Sequence, residues 1–241
     1  MKIFVSICSY RDPHLKLTLE SLIQSKSERT DATYAIFEQT KYEDSLEATN
    51  PDLVKRPDVI YRRIDPQHSS GVGWARKINS LELTNEDFYY QVDSHMLFDK
   101  NWDRSLITDY TLAMDKFNTN KIVISSNCKN FDIIDGIPYL ETPQPSSTVA
   151  KFYQFANDYK LYVHGEHVEP RTTIELSPHI FAGNLFTHAD WLKNVGINRE
   201  SFSKKPKIRK MTDKELKEIE LIAKKQNSRK HVYTRELRVK K

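Results

Sequence analysis

Apolar positions in the early part of the chain switch repeatedly between two periods. Lys2 to Ser9 is a short run of β-branched and apolar residues, after which Leu15, Leu19, Leu22 and Ile23 recur at helical spacing, so strand, turn and helix are predicted in that order. Ala32–Phe37 reads as a second strand and, beyond a polar loop rich in Asn, Pro and Asp, Val59–Ile64 as a third. Trp74–Leu81 has a helical pattern, and Phe88–Val92 is a strand that runs into the polar cluster Asp93–His95. Strands alternating with helices predict an α/β fold, a mostly parallel sheet with helices on both faces. Ligands of such folds collect at the carboxyl ends of the strands. Tyr10–Asp12, Glu38–Gln39 and Asp93–His95 are therefore expected to converge on one cleft.

Further along, Asn101–Phe117 places Trp102, Leu106, Tyr110 and Met114 on one side of a predicted helix, and Ile122–Ser126 reads as another strand. Thr142–Ser147 marks a loop, and a strand-like piece lies near Lys160–Val163. Gly183 interrupts the apolar run Ile180–Phe186, a place where backbone or ligand approaches closely. The pattern changes after Phe202. Thr212 and Glu215 form a capping-box signature ahead of a thin stripe of Leu216, Ile219 and Ile222, which predicts one amphipathic helix between basic flanks. The expected organisation is a folded domain over 1–203 and a basic extension over 204–241.

Composition agrees with one globular domain of ordinary size: 241 residues, 38% hydrophobic and 29% charged. Two cysteines, Cys8 and Cys128, exclude a disulfide framework or a four-cysteine zinc site. No apolar run approaches the roughly 20 residues of a membrane span, and MKIFVSICSYRD lacks a cleavage-site pattern, so a soluble, cytoplasmic protein is expected. The net charge of +4 is unevenly spread. Residues 204–241 carry 15 Lys and Arg against 5 Asp and Glu, a net +10, which leaves the preceding residues at −6. A basic segment of this kind either binds polyanions or is a solvated appendage.

Several clusters could carry chemistry. In Asp93-Ser94-His95, carboxylate and imidazole stand two residues apart and can meet one divalent cation when the serine turns away; a polar strand end explains the same residues without a metal. Gly71-Val72-Gly73-Trp74-Ala75-Arg76 puts two glycines and an arginine at a helix start, where phosphate oxygens are favoured. A structural turn is the alternative. The segment is neither a Walker loop nor a complete dinucleotide fingerprint, which disfavours triphosphate hydrolysis and NAD binding. Tyr10-Arg11-Asp12-Pro13 offers a ring for a base, a cation for phosphate and a carboxylate for a base or ribose, while Asp12 before Pro13 equally reads as a helix N-cap. His164, His167, His179 and His188 lack the spacing of a known metal class.

The joint order of these elements resembles the GlcNAc-transferase family, which includes polypeptide α-GlcNAc transferases acting on hydroxyproline of a cytoplasmic protein and is distantly similar to the mucin-type GalNAc transferases. The resemblance rests on Ile3–Pro13, Arg63-Ile64-Asp65, Gly71–Arg76, Tyr89–Met96, Trp102-Asp103 and Phe181–Phe186, and covers about residues 1–200. It implies a GT-A fold, a UDP-sugar donor and a divalent metal, manganese or magnesium, held by Asp93 and His95. It further implies Arg76 with Gly71 and Gly73 on the diphosphate, and Tyr10, Arg11, Glu38 and Gln39 bordering the nucleotide beside Asp93. Asp93, His95 and Arg76 would then be the catalytic set.

After Phe181–Trp191 the chain departs from the family pattern and runs through Glu200–Pro206 into its basic segment. This leaves the third metal ligand open, with His179 or His188 as candidates. The resulting expectation is a retaining glycosyltransferase that moves GlcNAc or another sugar to a hydroxyl acceptor on protein. Alternatives are a hydroxylated base in DNA as acceptor, and a truncated, non-catalytic nucleotide-sugar or protein-binding module.

Overall fold

A computed structural model of the chain describes residues 1–126, 128, 131–135, 137–140, 147–155, 161–168, 174, 176 and 180–194. In chain order the elements are β1 (Lys2–Tyr10), α1 (Leu15–Ser25), β2 (Asp31–Gln39), the short helices α2 (Leu46–Thr49) and α3 (Pro51–Val54), β3 (Val59–Ile64), α4 (Val72–Ser80), β4 (Phe88–Asp93), α5 (Trp102–Phe117), β5 (Val123–Ser125), β6 (Phe131–Ile134), β7 (Ile137–Leu140), β8 (Ser147–Phe155), β9 (Leu161–Val168), β10 (Asn184–His188) and α6 (Ala189–Asn194).

Six strands form one sheet in the order β3-β2-β1-β4-β10-β5. β3, β2, β1 and β4 are mutually parallel, and β10 is antiparallel to both of its neighbours. The expected mostly parallel α/β sheet is thus present. Strand β1 sits in the middle because it is apolar on both faces: Ile3, Val5 and Ile7 point to one side and Phe4 to the other, all fully buried. The first side packs against Leu15, Leu19 and Leu22 of α1 and Trp102, Tyr110 and Ala113 of α5. The second packs with Ala35, Tyr89, Leu83 and Ala189. Within the first layer the rings of Tyr90 and Trp102 stack at 5.3 Å and those of Phe88 and Phe186 at 5.0 Å.

Two buried polar groups tie the layers together. Asn79 of α4 is 2% exposed, and its Nδ2 donates to Ser6 Oγ (2.9 Å) and to the carbonyls of Ile7 (3.3 Å) and Ala35 (2.7 Å). Asp103 of α5 is fully buried and accepts from the backbone N–H of Ser27 at 2.9 Å and from its hydroxyl. Burial works to raise the Asp103 pKa, but the Ser27 and Thr30 donors outweigh it and hold the carboxyl below its usual range.

Strand order turns between β1 and β4, and the carboxyl edge at such a point is where sheets of this type take ligands. Two smaller two-stranded sheets, the antiparallel β6–β7 and the pair β8–β9, are separate from the six-stranded one. By compactness the chain divides into two units, Met1–Thr148 with Val168–Arg199, and Val149–His167 with Glu200–Lys241. The boundary expected at residue 203 and the helix expected through Leu216, Ile219 and Ile222 lie outside the described residues. Among the described residues, no helix is long and apolar enough to cross a membrane.

Candidate functional site

Parallel register brings the three polar strand ends to one edge. Cys8 of β1 pairs with Asp93 of β4, and Ser9 and Tyr10 pair with Glu38 and Gln39 of β2. Beyond Tyr10 the backbone turns at Arg11, which adopts a left-handed φ of 50° and donates its N–H to Gln39 O at 3.1 Å. For an arginine this conformation is strained, and it is held by its surroundings.

Asp93 ends β4. Its Oδ1 accepts from Arg76 Nη2 at 2.9 Å, with the two side chains 33% and 20% exposed. Its N–H donates to Gly183 O at 2.9 Å. A β-carbon on Gly183 would lie 2.2 Å from Asp93 Oδ2 and 2.9 Å from its Cγ, so the close approach expected at Gly183 is a carboxylate resting on bare backbone.

The two glycines before Arg76 differ. Gly71 has φ +91°, a conformation L side chains rarely adopt, and it precedes α4. Gly73 has open space around the position of a β-carbon and is required neither by sterics nor by φ.

Asp12 is the hub of the loop after β1. The helix-cap expectation needs correction, because α1 starts at Leu15 with His14 at its N-cap and no side-chain cap. Asp12 Oδ1 accepts from His14 N at 2.9 Å, while Oδ2 contacts Ser94 Oγ at 2.6 Å and His95 Nδ1 at 2.7 Å. Burial alone would raise the Asp12 pKa, yet the donors from Ser94, His95 and His14 prevail and lower it. The Thr18 hydroxyl donates to Ser94 O at 2.8 Å and accepts from Met96 N at 2.9 Å.

Glu38 and Gln39 are buried, at 4% and 3% exposure, and their side chains are committed to protein partners. Glu38 Oε2 accepts from Tyr61 Oη (2.6 Å) and Leu46 N (3.0 Å), and burial raises its pKa against those bonds. Gln39 donates to Ser9 O at 3.2 Å and accepts from Ser69 Oγ at 2.7 Å. Gln39 therefore braces the loop leading to α4. Beside them, a cavity of about 640 Å³ is lined by Arg11, Asp12, Glu38, Thr40, Lys41 and Asp44, among others. Tyr10 is exposed, and the Arg11 guanidinium lies 5.6 Å from its ring centroid.

His188 is placed far from this edge. It pairs with Phe88, at the opposite end of β4 from Asp93, and its Nδ1 accepts from Asp190 N at 3.3 Å. Five residues of strand separate the two levels, about 16 Å, so His188 is not a ligand of an ion held by Asp93. Because β10 runs antiparallel, its carboxyl end points away from this edge. His179 lies outside the described residues, as do the side chains of His164 and His167. Among the described residues, no three His, Cys, Asp or Glu side chains group as metal ligands.

What chemistry the edge supports follows from its donors. Asp93 offers a carboxylate, bonded through Oδ1 to Arg76, and His95, with Nδ1 engaged by Asp12, offers Nε2; a carboxylate and an imidazole are donor types that would suit a divalent cation of the manganese or magnesium type. Cys8 does not add a reactive thiolate, because burial pushes its thiol up to about 12.

The architecture is that of GT-A glycosyltransferases. It is similar to GalNAc-T7, solved with UDP, GalNAc and Mn2+, with a TM-score of 0.57 at 16% identity over 81% of this chain and 36% of that one. The chain belongs to the GlcNAc glycosyltransferase family, whose profile matches residues 2–56 and 45–198. It is also similar to residues 1–349 of TarS from S. aureus, solved with UDP-GlcNAc, with a TM-score of 0.45 at 16% identity over 81% of this chain and 47% of that one. The chain thus spans less than half the length of these two structures. No curated protein matches it in sequence.

Proposed function

We propose that this protein transfers a sugar, GlcNAc in the first instance, from a UDP-sugar to a hydroxyl group of a protein acceptor, in a metal-dependent reaction that retains anomeric configuration. The observation that carries the reading is the Arg76–Asp93 pair at the carboxyl edge of a GlcNAc-family sheet. A cationic fork and a carboxylate in contact at that edge suit a diphosphate and its counter-ion.

Breaking the bond between sugar and phosphate leaves negative charge on the diphosphate. Arg76, in the second turn of α4, would stabilise that charge most as it develops. Asp93 and His95 would hold a manganese or magnesium ion, which supplies Lewis-acid stabilisation of the leaving group when bound. Asp12 and the Gly183 backbone keep those two side chains in place. Arg11 and Glu38 line the cavity that would take the nucleotide, with the exposed Tyr10 ring beside Arg11, while Gln39 braces the loop leading to α4 from within the core.

The test is direct. Purified protein is incubated with UDP-GlcNAc, UDP-GalNAc or UDP-glucose, with manganese or with EDTA, and UDP release and transfer to peptide hydroxyls are followed. Manganese-dependent release supports the reading, and the anomeric signal of the product reports retention. Binding of UDP with no turnover on any donor would make the protein a nucleotide-sugar binder. Transfer to hydroxylated DNA, in place of peptide, would assign the +10 segment 204–241 to backbone contact with the acceptor.

A further inference from the structure

His95 is half-open to solvent, at 58% side-chain exposure, yet one of its ring nitrogens is held by a carboxylate that is only 13% exposed. The carboxylate is kept charged in that setting by bonds from Ser94 Oγ and His14 N as well as from the ring, so it is a fixed acceptor for His95. The backbone on either side of the ring is pinned independently: Thr18 Oγ1 bonds both Ser94 O and Met96 N. What remains free at His95 is rotation of its own side chain and the choice of which nitrogen carries the proton. Asp12 Oδ2, 2.7 Å from Nδ1, removes both freedoms, and the left-handed turn at Arg11 is the backbone feature that delivers Asp12 there.

We infer that Asp12 is a positioning residue: it holds the His95 ring with Nδ1 as the donor to its carboxylate and presents Nε2 to the edge of the sheet. That Nε2 meets a divalent cation rests on the function proposed above. The tautomer itself does not. The arrangement is the carboxylate–histidine pairing by which proteins orient and strengthen an imidazole ligand. Ser94, bonded to the same Oδ2 at 2.6 Å, keeps the carboxylate from rotating away.

The experiment uses the full chain free of metal, labelled with 15N histidine, at about pH 8, above the ordinary histidine range. Two-bond 1H–15N spectra are expected to show His95 in the Nδ1–H form. Asp12→Ala should release it to the Nε2–H form and weaken Mn2+ binding, followed by electron paramagnetic resonance, by about 10–100-fold. Thr18→Val loosens the loop without touching the ring; it should lower the melting temperature and leave the tautomer unchanged.

A wild-type His95 found as Nε2–H overturns the inference, whether or not Asp12→Ala folds. So does a Thr18→Val spectrum shifted as far as that of Asp12→Ala, because the ring would then follow general packing of the loop. An Nδ1–H tautomer combined with Mn2+ affinity untouched by His95→Ala supports the role of Asp12 on the ring and instead overturns the metal reading proposed above.

Discussion

Gly183 lies directly under the Asp93 carboxylate: a β-carbon there would sit 2.2 Å from Oδ2, and the Gly183 carbonyl accepts the Asp93 N–H at 2.9 Å. Residues ninety positions apart thus share one small volume, which is possible because β10 is laid beside β4 in the sheet. The first consequence concerns alanine at this glycine. Gly183→Ala leaves the backbone hydrogen bond available but forces the carboxylate to swing aside, since its oxygens are the movable part of the contact. UDP and Mn2+ binding should fall to near zero in calorimetry while the melting temperature stays close to wild type. Unchanged affinities would show that Asp93 binds neither.

Arg76 presents a planar fork to Asp93 Oδ1. Arg76→Lys keeps the charge and loses the fork, so UDP affinity should drop by roughly tenfold, with a smaller effect on overall stability. Equal UDP dissociation constants for wild type, Arg76→Lys and Arg76→Ala would return this residue to a purely structural role.

Asn79 should matter for the fold and not for the donor. Asn79→Leu fills the same space but leaves Ser6 Oγ and the Ala35 carbonyl without their partner, at a cost of about 1–3 kcal/mol. Chemical denaturation should register that loss, with UDP affinity unaltered in the folded fraction.

Asp103 sets an acid limit. Its folded pKa is depressed, so the stability it contributes is present above the unfolded carboxyl value of about 3.9 and is lost as pH falls through the lower folded value. Asp103→Asn should therefore be less stable than wild type at neutral pH, and the gap should close on acidification below about pH 4. A gap independent of pH in urea melts would contradict the assignment.

Much of this architecture is legible in the sequence. The continuous apolar run at Ile3–Ile7 can be buried on both faces only in the middle of a sheet, and parallel pairing then brings Tyr10, Gln39 and Asp93 to one edge. Gly183 was legible as a point of close approach, and the structure supplies the partner. Other features depend on information that periodicity lacks. The strand containing His188 is recognisable, but its direction is not, and antiparallel pairing sends that histidine to the far end. Asp12 before a proline matches a helix cap, and nothing local reports that its oxygen reaches a histidine 83 residues away. The β6–β7 hairpin did have a signal, Asp135-Gly136 between two apolar runs, the dipeptide that favours tight hairpin turns. Asp135 duly has a positive φ of 53°.

The place of β10 between β4 and β5 has a kinetic meaning. The other candidate-site residues of the edge come from β1 and the loop after it, α4, and β4 and the residues just beyond it, which a growing chain supplies early and in sequence, whereas the floor beneath Asp93 arrives with Gly183 near the end of the unit. Closing so long a stretch of chain is slow compared with the pairing of adjacent elements. The support beneath Asp93 is therefore supplied last, and a chain cut short before residue 183 lacks it. On the function proposed above, competence to hold donor would report that the chain has been made through residue 183.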